Sequence, residues 1–420
     1  MQPRLIILIN PLRLHEKLCQ ALRDVNIKIA ALYTWLPEEN YLQVDKKYFV
    51  FNETLSFDTE KDLAKIKKLL EDYDLITALP AVEMDLDYAE KIAYALQPAL
   101  ANNPEDSHLR YKKYDMNEAL KEAGLNAIPQ MRFPITEMID DIAPLNFPVV
   151  VKPSFQSGGS MGVRICQDMK ETQAHLTTLR QASDPYGKKI ESDVIIQEKI
   201  LGEEYFSDTV TWEAQHYITG IFKYKKIEVS GFPIYRYLDF INPQEKVWTL
   251  CHDYILATLE TLKVNHGFAH TEFILTDQDQ PFLIEINPRL SGIGGEINRL
   301  CKLVTGYDQS EIYIQLIKNS IDKKAMLEKY KTQSLHGRMI LLFAWENRQF
   351  TGFNQEVLKK LHSSQHVFLQ FKPAGSLLTA PENLLDVVVS VSVVDEDMEK
   401  IIADTHYLQQ LEKEGKLFNA

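Results

Sequence analysis

Over the first hundred residues, short apolar runs alternate with stretches in which apolar side chains return every three or four positions. Leu5 to Ile9, Lys28 to Tyr33, Tyr48 to Phe51 and Leu75 to Leu79 are predicted strands. The segments near 14–24, 60–72 and 85–97 have helical spacing. Strand–helix alternation of this kind argues for a parallel sheet with helices packed on it. Residues 98–108 interrupt the pattern with two prolines and capping residues, a domain boundary near 105. A helix is then predicted through Lys113, Met116 and Leu120, stopping at Gly124, a residue favoured just past a helix end.

From Phe147 the pattern changes to strands and hairpins. Phe147 to Lys152, Val163 to Cys166, Asp193 to Gln197, Phe206 to Trp212, Ile218 to Lys223, Ala269 to Leu275 and Phe282 to Asn287 are candidates, with helices near 170–182 and 246–262. After about residue 305 come strands near 338–345, 366–371 and 386–394, the last rich in valine, with no chemical motif. The expected organisation is three regions: an α/β domain over 1–105, a core over 106–305 and an α+β subdomain over 306–420.

Charge and cysteine content narrow the function. The chain has 46 basic and 59 acidic side chains, a net −13, which disfavours duplex DNA and anionic membranes as partners. The four cysteines (Cys19, Cys166, Cys251 and Cys301) lack CxxC spacing and fit neither a disulfide framework nor a zinc site. No stretch approaches the roughly 18 apolar residues of a membrane span, and the first apolar run meets Pro11 too early for a signal peptide. A cytoplasmic protein is expected.

The sharpest chemical feature is the pair of segments His270 to Leu275 and Pro281 to Arg289, joined by the polar stretch Thr276-Asp277-Gln278-Asp279-Gln280. A hairpin centred on Gln278 and Asp279 sets Glu272 opposite Glu285, with Cβ atoms about 5 Å apart. Alternation by two puts Asn287 on the face of Glu285. Two carboxylates and a carboxamide converging in this way suit a hard cation such as Mg²⁺. The alternative is a pair of solvated carboxylates, against which stand the apolar flanks Phe273, Ile274, Leu283, Ile284 and Ile286. Gln-Asp is not a favoured two-residue turn, which leaves the register open by one or two positions.

A second feature is Lys152, which ends a Val-rich strand and precedes the small, glycine-rich segment Ser157-Gly158-Gly159-Ser160-Met161-Gly162. A lysine there must meet an anion or reach out to water. Backbone N–H groups of such a loop can approach phosphate oxygens closely. No Gly-Lys-Ser/Thr closes the loop and β-type residues follow, so it reads as a flap rather than a P-loop, or simply as a turn. A third segment, Glu198-Lys199-Ile200 followed by Glu204, offers a bend between two strands that could meet an adenine edge and ribose hydroxyls; taken alone it is closer to an acidic hairpin. Gly292-Ile293-Gly294-Gly295 fails as a dinucleotide fingerprint because the third glycine position falls on Ile297. His252, His266 and His270 lack zinc-ligand spacing.

In this order the segments resemble the ATP-grasp superfamily, well from about Arg110 to Thr305 and more loosely before and after. The resemblance implies an ATP-grasp fold with an N-terminal parallel α/β domain, a two-lobed core and a C-terminal β-rich subdomain. It makes Lys113 and Lys152 phosphate lysines, and Ser157, Gly158, Gly159, Ser160 and Gly162 the flexible loop over the phosphates. It makes Glu198, Lys199 and Ile200 the adenine hinge, Glu204 the ribose carboxylate, and Glu272, Glu285 and Asn287 the ligands of Mg²⁺, with Mn²⁺ as the alternative ion. Asn287-Pro288-Arg289 resembles the carboxylate–amine ligases, in which Arg289 would bind an acyl phosphate and stabilise the tetrahedral intermediate with backbone N–H groups of Ser291 and Gly292. His270 would help orient substrate or simply pack. The block from Thr209 to Trp212 and Ile218 to Lys226 resembles the L-amino-acid ligase and dipeptide-synthetase branch. The implied activity is ATP-dependent amide formation between a small carboxylate and an amine, both probable amino acids, by a protein whose relatives are often homodimers. The alternatives are a biotin-carboxylase-like enzyme acting on bicarbonate and a nucleotide-binding regulatory module without turnover.

Overall fold

The computed structural model describes residues 2–35, 43–83, 85–137, 139–154, 162–181, 193–229, 232–292, 295–381 and 384–419. The N-terminal sheet is formed by β1 (Arg4–Ile9), β2 (Lys28–Tyr33), β3 (Asn52–Thr54) and β4 (Asp74–Pro80), parallel and in the order β3-β2-β1-β4. Leu5 to Ile9 are at most 1% exposed, because helices α1 (Glu16–Asp24), α2 (Thr59–Leu69) and α3 (Leu86–Leu96) leave the strand no solvated face. The third strand lies downstream of its predicted place: Lys46–Tyr48 is a 3₁₀ turn, and Tyr48 and Phe49 pack beside the core from there.

A short helix, α4 (His108–Tyr111), leads into α5 (Lys113–Glu122), which ends as the sequence predicts. Gly124 has φ +76°, its N–H donates to Lys121, and the N–H of Leu125 reaches back to Leu120. Next come β5 (Gln130–Phe133), β6 (Val149–Pro153), β7 (Arg164–Cys166), α6 (Met169–Gln181) and β8 (Val194–Glu198). They make a small antiparallel sheet in the order β5-β8-β6-β7, backed by α6.

The largest layer is an eight-stranded antiparallel sheet. It takes in β9 (Glu203–Trp212), β10 (Gln215–Val229), β11 (Phe232–Phe240), β12 (Gly267–Leu275) and β13 (Pro281–Asn287), with α7 (Lys246–Thr261) packed on it. Helices α8 (Glu296–Thr305), α9 (Gln309–Ile317) and α10 (Lys323–Thr332) follow, and α9 and α10 join the core of the N-terminal sheet through Ile312, Tyr313 and Met326. The chain then returns to the same sheet with β14 (His336–Leu342), while β15 (Arg348–Gln349) and β17 (Leu377–Leu378) pair separately on either side of β16 (Gln365–Gln370). With β18 (Val389–Asp395) the order is β13-β12-β9-β10-β11-β14-β18-β16, and α11 (Met398–Lys413) closes the chain against β14 and β18. The C-terminal strands thus extend the central sheet. All four cysteines are buried and free. Among the described residues no helix is long and apolar enough to cross a membrane.

Candidate active site between the two antiparallel sheets

The β12–β13 hairpin sets Glu272 opposite Glu285 and His270 opposite Asn287, the register the sequence implies, though by a different route. The turn spans Thr276 to Gln280, closed by Thr276 N–H to Gln280 O at 3.0 Å, with Asp279 at φ +59°. Near the turn Leu275 therefore pairs with Pro281, one step off the predicted pairing. A β-bulge at Ile284 restores the register before the carboxylates.

Opposed carboxylates repel, and the fold supplies a cation to each. Lys113, the first residue of α5, lies 2.8 Å from Glu285, and its N–H is tethered to the carbonyl of Ser154 beyond β6. Glu272 accepts from Tyr224 at 3.2 Å and faces His270 Nε2 at 3.3 Å. Nδ1 of His270 lies 2.7 Å from Asp208, its cross-strand partner on β9. Burial opposes charge on His270, but the hydrogen bond and charge of Asp208, with Glu272 behind, hold its pKa up at about 9. Burial likewise works against Glu272, yet the imidazolium of His270 keeps it down at about 2. Both nitrogens of His270 are thus engaged by carboxylates, which makes it a group that positions Glu272.

Lys152 is 4% exposed on β6. Burial and the charge of Lys113 pull its pKa down to about 8, with Glu285 and Glu272 limiting the fall. A buried ammonium under such strain favours a nearby anion. Gly162 sits at φ +71°, and its carbonyl accepts from His175 Nε2 at 2.9 Å, which fixes this residue beside α6. Ser157, Gly158, Gly159 and Ser160 lie outside the described residues.

At the hinge, the carboxylate of Glu198 accepts from the backbone and side-chain N–H groups of Asn146 at 2.8 and 2.7 Å. The N–H groups of Glu198 and Lys199 go to Pro129 and Pro148. The bend is therefore tied on the small sheet, and its neighbour Leu201 stands 72% exposed. Glu204 pairs with Lys226 of β10, whose ammonium also lies 4.2 Å from the Tyr235 ring centre. Burial pushes the Glu204 carboxyl up, and the charges of Glu272 and Glu285 add to this against Lys226.

Arg289 follows β13 and reaches the N-terminal domain, where its Nε donates to Glu83 at 2.9 Å. Glu83 keeps the guanidinium charged against its burial. The N–H of fully buried Ser291 donates to Gln309 Oε1 at 2.9 Å, so it is spent on packing; this corrects its expected place among the oxyanion donors. Gly292 remains beside Arg289: a Cβ there would lie 3.8 Å from the guanidinium.

Asp208 and Glu83 belong to none of the sequence motifs, and Tyr224 and Lys226 enter them only as part of the block Ile218 to Lys226, without a role. An aspartate inside the apolar strand Phe206 to Trp212 was a visible signal, since a carboxylate is rarely buried without a partner. Glu83 carried none, because its partner is 206 residues away. Glu272, Glu285 and Asn287 offer two carboxylates and a carboxamide oxygen. Among the described residues no group of three or more His, Cys, Asp or Glu side chains is arranged to hold a metal ion. The chemistry of the oxygen donor set fits magnesium, which is usually held by one or two carboxylates together with phosphate oxygens.

Residues 145–297 match the family model of the ATP-grasp domain. The chain carries an ATP-grasp domain. Lys152, the bend at Glu198 to Ile200, Glu204, Asp208, Tyr224, His270, Glu272, Glu285 and Asn287 all fall within it, whereas Lys113 and Glu83 lie before it. Dapdiamide A synthase of Enterobacter agglomerans is 29% identical over 227 residues, 53% of this chain and 52% of that protein, so the alignment spans about half the relative's length. Among solved structures, the L-amino acid ligase from Bacillus licheniformis superposes with a TM-score of 0.75 at 15% identity over 98% of both chains. The biotin carboxylase domain of Hydrogenobacter thermophilus 2-oxoglutarate carboxylase, solved with MgADP and bicarbonate, gives 0.66 at 11% identity, over 98% of this chain and 90% of that one. These two likenesses establish that the ATP-grasp domain sits in a whole chain of that fold.

Proposed function

We propose that the protein is an ATP-dependent carboxylate–amine ligase that forms an amide or peptide bond through an acyl phosphate, releasing ADP and phosphate, with amino acids as substrates. The observation that carries this reading is the convergence of Glu272, Glu285 and Asn287 with Lys113 and Lys152 on one side and Arg289 on the other. Similarity to dapdiamide A synthase and the fold shared with the L-amino acid ligase support the amide-forming branch.

Lys113 and Lys152 would neutralise the phosphates of ATP at the mouth of the small sheet. Glu272, Glu285 and Asn287 would hold magnesium, whose charge offsets that gathering on the β- and γ-phosphates during transfer. Phosphates would draw Lys113 away from Glu285 and so free that carboxylate to help hold the ion. His270, held by Asp208, and Tyr224 fix the orientation of Glu272. The substrate carboxylate attacks the γ-phosphorus, and the amine then displaces phosphate from the acyl carbon. Arg289, with the N–H of Gly292, would stabilise the oxyanion of that second step. Positioning and charge neutralisation are the sources of rate here.

The test is ADP release from purified protein with Mg·ATP and paired amino acids, with products read by mass spectrometry. A dipeptide mass together with ADP supports the reading. ADP formed with bicarbonate alone would favour a bicarbonate-activating enzyme, and ATP binding without phosphate release from any acid–amine mixture would leave a regulatory module. Arg289→Met should retain nucleotide binding and lose product; unimpaired ligation would remove its assigned role.

A further inference from the structure

The alternation of β10 sends its side chains to two different places. Tyr224 and Lys226 point to Glu272 and Glu204 on the catalytic face. Lys225 and Ile227 therefore open on the opposite face. There they line a cleft of about 600 Å³ between β10, β11 and α11. A bulge at Arg236 on β11 creates room for it: Tyr235 pairs with Lys226 and Tyr237 with Lys225, leaving Arg236 as the extra residue.

The floor of the cleft is rigid and neutral. Arg236 makes a two-pronged pair with Glu412 of α11, one contact at 3.1 Å. Arg338 binds Asp239 through both prongs at 2.5 and 3.0 Å, donates to Thr405, and lies 3.9 Å from the Tyr237 ring centre. The rim is different. With both arginines matched, Lys225 and Lys413 leave a surplus of positive charge on a chain of net −13. Ile227, 39% exposed near the end of β10, and Ile402 supply apolar walls. Trp345, its ring centre 5.4 Å from the Arg236 guanidinium, adds an aromatic wall. Its size is that of a small-molecule pocket, which combines apolar walls with a few placed polar groups.

We propose that this cleft is a second ligand site, on the reverse of the catalytic sheet, for a small organic anion with an aromatic or branched apolar body. The lysines would take the anionic group, and the isoleucines and Trp345 the body.

The probe is 8-anilinonaphthalene-1-sulfonate, an aromatic anion whose fluorescence rises on binding, titrated into the full-length protein with saturating Mg·ADP. One saturable site is expected. Lys225→Glu combined with Lys413→Glu, both exposed positions, should weaken it by about tenfold or more with an unchanged melting temperature. 3-Phenylpropionate should displace the probe, and neutral 3-phenylpropanamide should not. Absence of a saturable site under these conditions, equal competition by the amide, or an unaltered affinity in the double variant would each overturn the proposal.

Discussion

The two halves of the eight-stranded sheet share one hydrogen-bonding scheme and differ in almost everything else. On β9, β12 and β13 the interior holds Asp208, His270, Glu272, Glu285 and Asn287, each matched to a neighbour of opposite charge or hydrogen-bonding need. On β14 and β18 the interior is Ile340, Leu342, Val389, Val391 and Val393, and ionised groups are left to the strand ends at Arg338 and Asp395. The first half stores charge and the second stores apolar burial, so chemistry and stability should respond to different substitutions.

The largest separation is expected from Glu285→Gln, which should cut ADP formation by ~10³-fold with little change in melting temperature. Retained turnover would dissolve the distinction between the halves. Leu342→Ala should do the converse, costing about 3 kcal/mol of stability in urea melts while the folded fraction keeps its kcat. A smaller effect belongs to Asp395, which accepts from the N–H groups of Asp397 and Ser364. These bonds, the first of them foremost, hold its carboxyl down at about 2. Its contribution is complete above the unfolded carboxylate range near ~4 and is lost as the pH falls from there through 2. Asp395→Asn should flatten that part of the acid-unfolding curve, followed by circular dichroism, and leave activity at neutral pH untouched. The smallest change in stability is expected for Lys226→Met. Its pair with Glu204 is partly exposed, so the loss should stay within about 1 kcal/mol, while the KM for ATP rises.

The sequence was most legible where burial is one-sided or complete. β1, β2 and β4 are read directly from their apolar runs, and the opposed glutamates follow from alternation on β12 and β13. The pairing survived only because the bulge at Ile284 offsets the turn, and no residue pattern announces that compensation. β11 escaped notice because Pro233, Arg236 and Asp239 break its pattern, and its two faces serve different clusters. Glu83 and Lys113 join the site through tertiary contacts with Arg289 and Glu285, more than 170 positions downstream.

Lys113 has a consequence for how such proteins can be recombined. It stands outside the stretch that carries the domain signature, yet its ammonium sits on Glu285 inside it. A chimera joined at residue 145 would inherit the hairpin without its native counter-charge, and its grafted glutamates would depend on whatever the new host offers at that point. The heritable unit therefore begins earlier than the signature does, at the helix that brings the lysine.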